Sequence, residues 1–403
     1  CRMSLRNKRI AILNDSTKYG RLTIMQQPIV HTYSLGELYT ERKEKGDPSL
    51  PILTVSIHAG VSEGELDEDK LGKKVKRIAD KTQYKTARKG DLVFNMMRAW
   101  QGAIGVVRSD GLVSPAYIVA KPNGKIWPEY MDYCMKTPRM IHAIHRQSYG
   151  VTDFRLRLYW DSFTPITCQL PTLPEQQKIA AILSTQDKVI ELKEKLLAQK
   201  QQQKKYLMQQ LLMPKNKEKS FKSIHLSDIS RLIKKHVDGQ KFNYVSTENI
   251  SPNLSGKALF DESNIEISGV GFNAGDILVG NIRPYLKKVW RANKDGLCST
   301  DVLVFRPIGI SSEFLYYLIA NDNFFFYVMT TAKGSKMPRG DKKAIMNAKM
   351  LIPESKIEQN FLVELLSTAD HEIDLLQKSI EAEKQKKKAL MQLLLTGKVS
   401  VRI

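Results

Sequence analysis

The stretch from Glu175 to Lys215, EQQKIAAILSTQDKVIELKEKLLAQKQQQKKYLMQQLLMPK, returns 183 positions later as Glu358 to Lys398, EQNFLVELLSTADHEIDLLQKSIEAEKQKKKALMQLLLTGK, with 18 of 41 positions identical and no gap. Two unrelated helices of similar composition do not agree to this extent, so the chain is read as an internal duplication. Glu175–Leu212 and Ile357–Leu395 contain no Pro or Gly and are rich in Leu, Ile, Lys, Gln and Glu, which helices tolerate or favour. Pro174 and Pro353 stand before them, and Pro214 and Gly397 after them, as start and stop signals. Forty residues at ~1.5 Å rise predict two rods of roughly 60 Å.

Each rod carries one narrow apolar stripe. Ile179, Leu183, Ile190, Leu197, Leu207 and Leu211 mark it in the first copy. Leu362, Leu366, Ala369, Ile373, Leu376, Ile380, Leu390 and Leu394 mark it in the second, at the 3-4 spacing of a coiled-coil seam. Both stripes turn polar midway, at Lys193, Lys200 and Lys204 in one and at Glu383 and Lys387 in the other. A lone helix with so narrow a stripe is unstable, so the rods are expected to pack on each other.

The upstream parts repeat at an offset of 185: Gly90-Asp91 with Gly275-Asp276, Arg98 with Arg283, and Asp110-Gly-Leu112 with Asp295-Gly-Leu297. Tyr117–Lys121, Val302–Arg306 and the segments after the Gly-Asp turns, Asp91–Phe94 and Asp276–Val279, read as strands. Met131–Ile144 and Phe314–Met329 read as short apolar-faced helices. The expected fold class is therefore α/β or α+β, with two variable globules and two long helices. The boundaries are 1–173 for the first globule, 174–213 for the central helix, 214–352 for the second globule, and 353–403 for the last helix and tail.

Composition narrows the function. Lys+Arg 63 against Asp+Glu 42 in 403 residues gives +21 and a pI near 9.6, which predicts a polyanionic partner. Residues 1–173 hold +10 and residues 214–352 hold +8, against +3 for 174–213 and zero for 353–403. The excess thus sits on the globules, where a basic membrane-binding helix would have put it on the rods. No run of about 18 apolar residues exists to span a bilayer, and Ala11-Ile-Leu13 is too short for a signal peptide's apolar core. Cys1, Cys134, Cys168 and Cys298 are scattered, so they read as free thiols in a reducing cytosol.

The sequence lacks the common catalytic patterns. There is no phosphate-binding G-x-x-x-x-G-K-[ST] loop, no [Asn/Asp]-Pro-Pro-Tyr pocket for adenine methylation, and no convincing Asp with a spaced Glu-x-Lys. Gly269-Val-Gly271-Phe-Asn-Ala274 approaches a dinucleotide fingerprint but leads into a turn and an apparent strand. His142 and His145 share a helix face without a third ligand, and the acidic run Glu63–Asp69 reads as a solvated loop. The chain is expected to catalyse nothing and to hold no metal.

Leu170-Pro-Thr-Leu-Pro-Glu-Gln-Gln177 running into the first rod, the Leu-Met-Gln-x-Leu-Leu endings at Leu207 and Leu390, and Leu395-Thr-Gly-Lys398 resemble the specificity subunits of type I restriction–modification systems. The likeness covers nearly the whole chain, although Pro353-Glu-Ser-Lys-Ile-Glu-Gln359 departs from the proline-rich lead-in of the first copy. The resemblance implies two target-recognition domains in pseudo-twofold relation, each reading half of a split, asymmetric double-stranded DNA target. It implies that the rods form an antiparallel coiled coil that sets the gap and docks two modification subunits. S-adenosylmethionine, ATP and Mg would then belong to modification and restriction subunits, with no cofactor in this chain. It further implies a prokaryotic cytoplasmic setting without a membrane.

The DNA-contact candidates are the cations that cluster in loops. Lys333, Lys336, Arg339, Lys342 and Lys343 lie in a Gly/Pro-containing segment, and Arg155 and Arg157 occupy the comparable place in the first copy. Arg98 and Arg283 recur beyond the Gly-Asp turns, near Trp100 and Tyr285. Lysines suit phosphates, and an arginine can bind a guanine edge bidentately. The competing readings are a single-chain DNA-modifying enzyme with a divergent site, and a coiled-coil scaffold that binds nucleic acid without sequence preference.

Overall fold

The computed structural model describes residues 30–57, 60–64, 80–150, 152, 155–212, 221–239, 244–259 and 267–401. Ala11-Ile-Leu13, Cys1, Glu65–Asp69 and Pro214, to which expectations were attached above, lie outside the described residues. The chain divides into two units, one of Cys1–Leu192 with Ile380–Ile403 and the other of Lys193–Ser379. Each unit therefore takes one globule and a part of both long helices, where the sequence had been cut into four consecutive segments. Tertiary contact, rather than chain order, assigns the helical segments to a globule.

In the first unit the chain runs β1 (His31–Ser34), α1 (Leu35–Leu38), β2 (Tyr39–Glu41), β3 (Leu53–Ser56), β4 (Gly60–Glu63), β5 (Lys85–Ala87), β6 (Leu92–Asn95), β7 (Ile104–Val106), β8 (Gly111–Val113) and β9 (Tyr117–Pro122). It continues through α2 (Pro128–Met135), α3 (Pro138–Gln147), α4 (Trp160–Phe163) and β10 (Thr167–Leu170) into the long helix α5 (Leu173–Leu212). The central sheet has the antiparallel order β2-β9-β6-β7, with β3-β4, β5-β8 and β1-β10 as separate pairs. Its inner strands are apolar and buried at their central positions, Leu92–Phe94 and Ile118–Ala120, because both faces are covered there. Leu92 and Phe94 of β6 face the core that includes Tyr130, Phe163, Ile179 and Leu183, while Val93 faces a second core with Leu53, Val55 and Val119.

The second unit repeats this plan. It contains β11 (Phe221–His225), α6 (Leu226–Ile229), β12 (Ser230–Ile233), β13 (His236–Gly239), β14 (Tyr244–Val245), β15 (Ile267–Phe272), β16 (Ile277–Gly280), β17 (Val289–Arg291), β18 (Gly296–Cys298) and β19 (Val302–Pro307). Then follow α7 (Ser312–Ile319), α8 (Asp322–Thr330), α9 (Lys342–Met346), β20 (Lys349–Pro353) and the long helix α10 (Lys356–Leu394). The sheet order β12-β19-β16-β17 reproduces that of the first unit, and β11-β20 reproduces β1-β10. Ile277 and Val279 face one core with Phe305 and Phe314, and Leu278 faces another with Phe272 and Trp290. The glycine-rich Gly269-Val-Gly271 lies within β15, a strand paired with β13 and β18, so no helix follows it.

Two local expectations are corrected. Met131–Ile144 is not one helix but parts of α2 and α3, because Thr137 caps α3 by accepting from Met140 N and Pro138 occupies its first turn. Phe314–Met329 likewise divides into α7 and α8 where Asn321 accepts from Phe324 N. The strands after the Gly-Asp turns begin one residue later than read, since the aspartates belong to the turns. Gly90 and Gly275 adopt φ +92 and +91, a conformation that disfavours any side chain. Asp91 and Asp276 then fold back to accept from the backbone N–H groups of Arg88 and Asn273.

All fourteen seam positions are buried or half-buried. Ile179 and Leu183 of α5 share the first unit's core with Leu394 and Val401. In the second unit, Lys193, Lys200 and Lys204 of α5 bind Ser379, Glu372 and Asp370 of α10, so these segments run in opposite directions. The seam shifts at the end of α5, where Met208 and Leu212 are the buried residues and Leu207 and Leu211 are half-buried.

The polar middle of each stripe is built into the units. Tyr133 donates to Asp187 at 2.7 Å, Lys387 binds the same carboxylate at 2.5 Å, and its ammonium lies 5.6 Å from the Tyr133 ring centroid. In the second unit Tyr317 donates to Asp370 at 2.9 Å, Lys204 binds it at 2.5 Å, and its ammonium lies 5.8 Å from the Tyr317 ring. In both sets the lysine comes from the other copy's helix. A half-desolvated lysine is held there by a carboxylate and an aromatic face rather than by water.

Candidate nucleic-acid interface

The cations named from the sequence lie on connections between strands and helices, except Lys342 and Lys343 in the first turn of α9, and each unit brings two such connections together. In the first unit the β6–β7 connection is a short helical turn, Ala99–Gln101, closed by Gly102 at φ +100. Asn95 Oδ1 accepts from Met97 N, the Asn95 carbonyl accepts from Arg98 N, and the Arg98 carbonyl accepts from Ala103 N. The turn is thus fixed by its own backbone, with Arg98 exposed. Beside it Tyr149 and Arg157 exchange both backbone hydrogen bonds, at 3.0 and 2.9 Å, and Leu158 N donates to the Met96 carbonyl at 2.9 Å. Gly150 is required here, since a Cβ would overlap the carbonyl oxygen of Arg155.

The second unit uses the same design with other residues. The β16–β17 connection carries Arg283 at φ 51 and ψ 62, and its N–H donates to the Pro338 carbonyl at 2.8 Å. Lys333 and Arg339 exchange backbone hydrogen bonds at 2.9 and 3.0 Å, and Ile282 bridges Arg339. Asn281, buried at the root of the connection, donates through Nδ2 to the Gly340 carbonyl at 3.3 Å. Arg283 is thereby brought against the Lys333–Arg339 loop, as Arg98 is against the Tyr149–Arg157 hairpin.

Internal partners separate the candidates. Arg339 is bound to Asp301 at 3.0 Å and Lys333 to Asp341 at 3.0 Å. Asp341 is held below the usual carboxylate range by N–H donation from Ala344 and by Lys333. Arg98, Arg155, Arg157, Arg283, Lys336, Lys342 and Lys343 are exposed, and none has a side-chain carboxylate partner among the described residues. Their charge is left for an external anion.

Sequence reading named Tyr285 and missed the rest of the apolar half of these surfaces. Met97 and Tyr149 in the first unit, and Tyr285 and Met337 in the second, are large apolar side chains about half exposed on the same connections. Tyr149 is supported by Tyr159, with ring centroids 5.0 Å apart. The signal was the interleaving of aromatic and basic residues in segments that otherwise read as loops. Arg42, Arg88 and Arg306, by contrast, are structural. Arg42 and Arg306 bind the buried Asp91 and Asp276 through two nitrogens each, and Arg88 joins Glu44 to Asp110.

No group of three or more His, Cys, Asp or Glu suited to a metal occurs among the described residues, and none of the described helices is long and apolar enough to cross a membrane. Cys134, Cys168 and Cys298 are buried free thiols. The second unit also holds a cavity of about 1020 Å³ beside α5 and α10, lined among others by Lys204, Lys257, Tyr317, Asp370 and Asp374. Its charges answer one another, with Lys257 on Asp374 at 3.1 Å and Lys204 on Asp370.

Known proteins resemble this chain in sequence and in fold. Residues 36–202 match the family model described as the type I restriction modification DNA specificity domain. The type I restriction enzyme MjaVIII specificity subunit of Methanocaldococcus jannaschii is 24% identical over 331 residues, covering 72% of this chain and 75% of that protein. A chain solved in work on complex assembly and conformational transition of the type I R-M system superposes with TM-score 0.56 at 14% identity, covering 92% of this chain and 99% of its own. The type I restriction–modification S subunit from M. genitalium gives TM-score 0.56 at 12% identity, covering 93% and 98%. These two structures share the mixed helix and sheet fold. The class so defined is the type I DNA specificity domain. Residues 36–202 match that domain, and over 72% of its length the chain is similar to a type I restriction enzyme specificity subunit.

Proposed function

We propose that each unit carries a target-recognition domain, within residues 1–173 and 214–352, and that each reads one half of a bipartite, asymmetric double-stranded DNA target. The observation that carries this reading is the duplicated pair of connections, which present exposed, unpartnered cations and half-exposed apolar side chains in both units. Phosphate contacts from Lys336, Lys342, Lys343 and Arg155 position the duplex. Arg98, Arg157 and Arg283 address base edges or phosphates, while Lys333 and Arg339 mainly hold their loop. Because the two sets of residues differ, the two half-sites differ.

In the same reading the helices, residues 174–213 and 353–403, form an antiparallel coiled coil that sets the gap between half-sites and docks two modification subunits. Restriction subunits complete the assembly, and S-adenosylmethionine, ATP and Mg reside on those partners in a prokaryotic cytoplasm. The opposed direction of α5 and α10 in the second unit supports the coiled coil. Two tethered readers multiply weak half-site affinities through effective concentration.

A methylome of cells that express this chain with its modification subunit tests the proposal. The expected result is one split motif with unlike halves and a fixed gap. A palindromic motif, or methyl transfer by the purified chain alone, would overturn it.

A further inference from the structure

Of the nine candidate DNA-contact residues, two stand at equivalent places in both copies and share a set of features that no other pair has. Arg98 and Arg283 are separated by the repeat offset of 185 and lie between corresponding strands. Both are exposed, and neither side chain has a hydrogen bond or ion pair among the described residues. Both have backbone N–H groups pinned, to the Asn95 carbonyl at 3.0 Å and to the Pro338 carbonyl at 2.8 Å. Arg155 and Arg157 have no such counterpart, because the second unit offers Lys336 and the Asp301-bound Arg339 in that region.

Arg283 adds a second, independent observation. Its φ of 51 places a long side chain in the left-handed region, where glycine is the stable choice. A residue kept in such a conformation against local preference points to a use for its side chain. The pinned backbone supplies what base reading needs, a guanidinium whose origin does not wander. A planar fork on a fixed stem matches the O6/N7 edge of guanine, whereas phosphate contact needs no such fixation.

We propose that Arg98 and Arg283 are the corresponding guanine-reading residues of the two units, each addressing one guanine in its own half of the target. The inference rests on the DNA-specificity reading and adds to it the base and the residue. The flanking side chains, Met97 and Trp100 in one copy and Ile282 and Tyr285 in the other, then set what each half-site carries beside its guanine.

The test uses the full chain assembled with its modification subunits and a randomised bipartite DNA library. Arg98→Lys is expected to lower discrimination for guanine about 10- to 100-fold at one position of one half-site. Arg283→Lys is expected to do the same at one position of the other half-site only. Since lysine keeps the charge, the salt dependence of binding should stay unchanged in both variants. Arg283→Gly is expected to lose the same discrimination while its melting temperature holds or rises, because the strained backbone is relieved. A structural role for Arg283 predicts a lower melting temperature instead. Unchanged base preference, or equal weakening on every sequence, would overturn the inference and leave the specificity reading standing. A wild-type assembly that selects no sequence at all would overturn both.

Discussion

Asp91 and Asp276 show how a two-residue motif works at the level of atoms. The preceding glycine takes a positive φ, the carboxylate turns back onto a backbone N–H, and a guanidinium closes the other side. The aspartates are almost wholly buried, while their arginines, Arg42 and Arg306, keep some access to water. Asp91→Asn and Asp276→Asn should each destabilise their own unit by about 2 kcal/mol, read from urea unfolding, since a charge-assisted hydrogen-bond pair is weakened in place. Glu44 gives a pH signature. Hydrogen bonding from Arg88 holds its carboxyl below the ordinary value of 4.5, so its stabilising effect is full above pH 4.5 and fades as pH falls through the lowered value. Glu44→Gln should therefore flatten the acid limb of the stability curve and leave the limb above pH 5 with unchanged slope. Burial pushes Cys134 up to about 11 and Cys168 and Cys298 up to about 12, so all three should resist thiol reagents until the chain unfolds.

At the scale of elements, the long helices are where reading and structure meet most closely. Their absence of Pro and Gly, their proline starts and their 3-4 stripe predicted Glu175–Leu212 and Ile357–Leu395, and the observed helices are Leu173–Leu212 and Lys356–Leu394. The stripe drifted only at Met208 and Leu212, because side chains at the end of a helix follow the globule they enter rather than the seam. Leu183→Ala and Leu366→Ala, both at fully buried positions, should each cost about 2–5 kcal/mol. Residue-resolved hydrogen exchange should place the first loss in the first unit and the second in the second. Leu196→Ala, at a residue that is 44% exposed, should stay within about 0.5 kcal/mol. Insertion of one heptad into both helices should lengthen the gap in the target, and insertion into one should abolish specific binding. A gap unchanged by matched insertions would end the ruler idea.

For the whole molecule, the division of charge was legible before any coordinates, and so was the duplication. The all-apolar strands LVF, ILV and VLVF were legible as strands, but not the second core that covers their other face. Those cores are completed by β3, β5 and β8 in the first unit and by β14, β15 and β18 in the second, which carry short, weakly patterned segments. The candidate loops were named by their cations. Of their apolar members Tyr285 was named beside Arg283, but Tyr149, Met97 and Met337 were not, because exposure depends on which hairpin lies alongside. A net charge of +21 held mostly on two globules predicts that non-specific DNA affinity falls about 10³-fold or more between 50 and 200 mM salt. Lys336→Ala should weaken binding to all sequences alike and lower that salt slope by about one, measured by titration at several salt concentrations.

The exchanged lysines of the two Tyr-Asp-Lys sets bear on how such a chain changes over generations. Lys204 follows the first globule in the sequence but serves Tyr317 and Asp370, and Lys387 follows the second but serves Tyr133 and Asp187. A mutation in either helix is therefore felt by the globule it does not follow, and selection on either globule inspects both helices. Change at these helix positions is thus constrained from both sides, whereas the exposed loop cations Arg98, Arg157 and Arg283, with no carboxylate partner among the described residues, carry no such constraint.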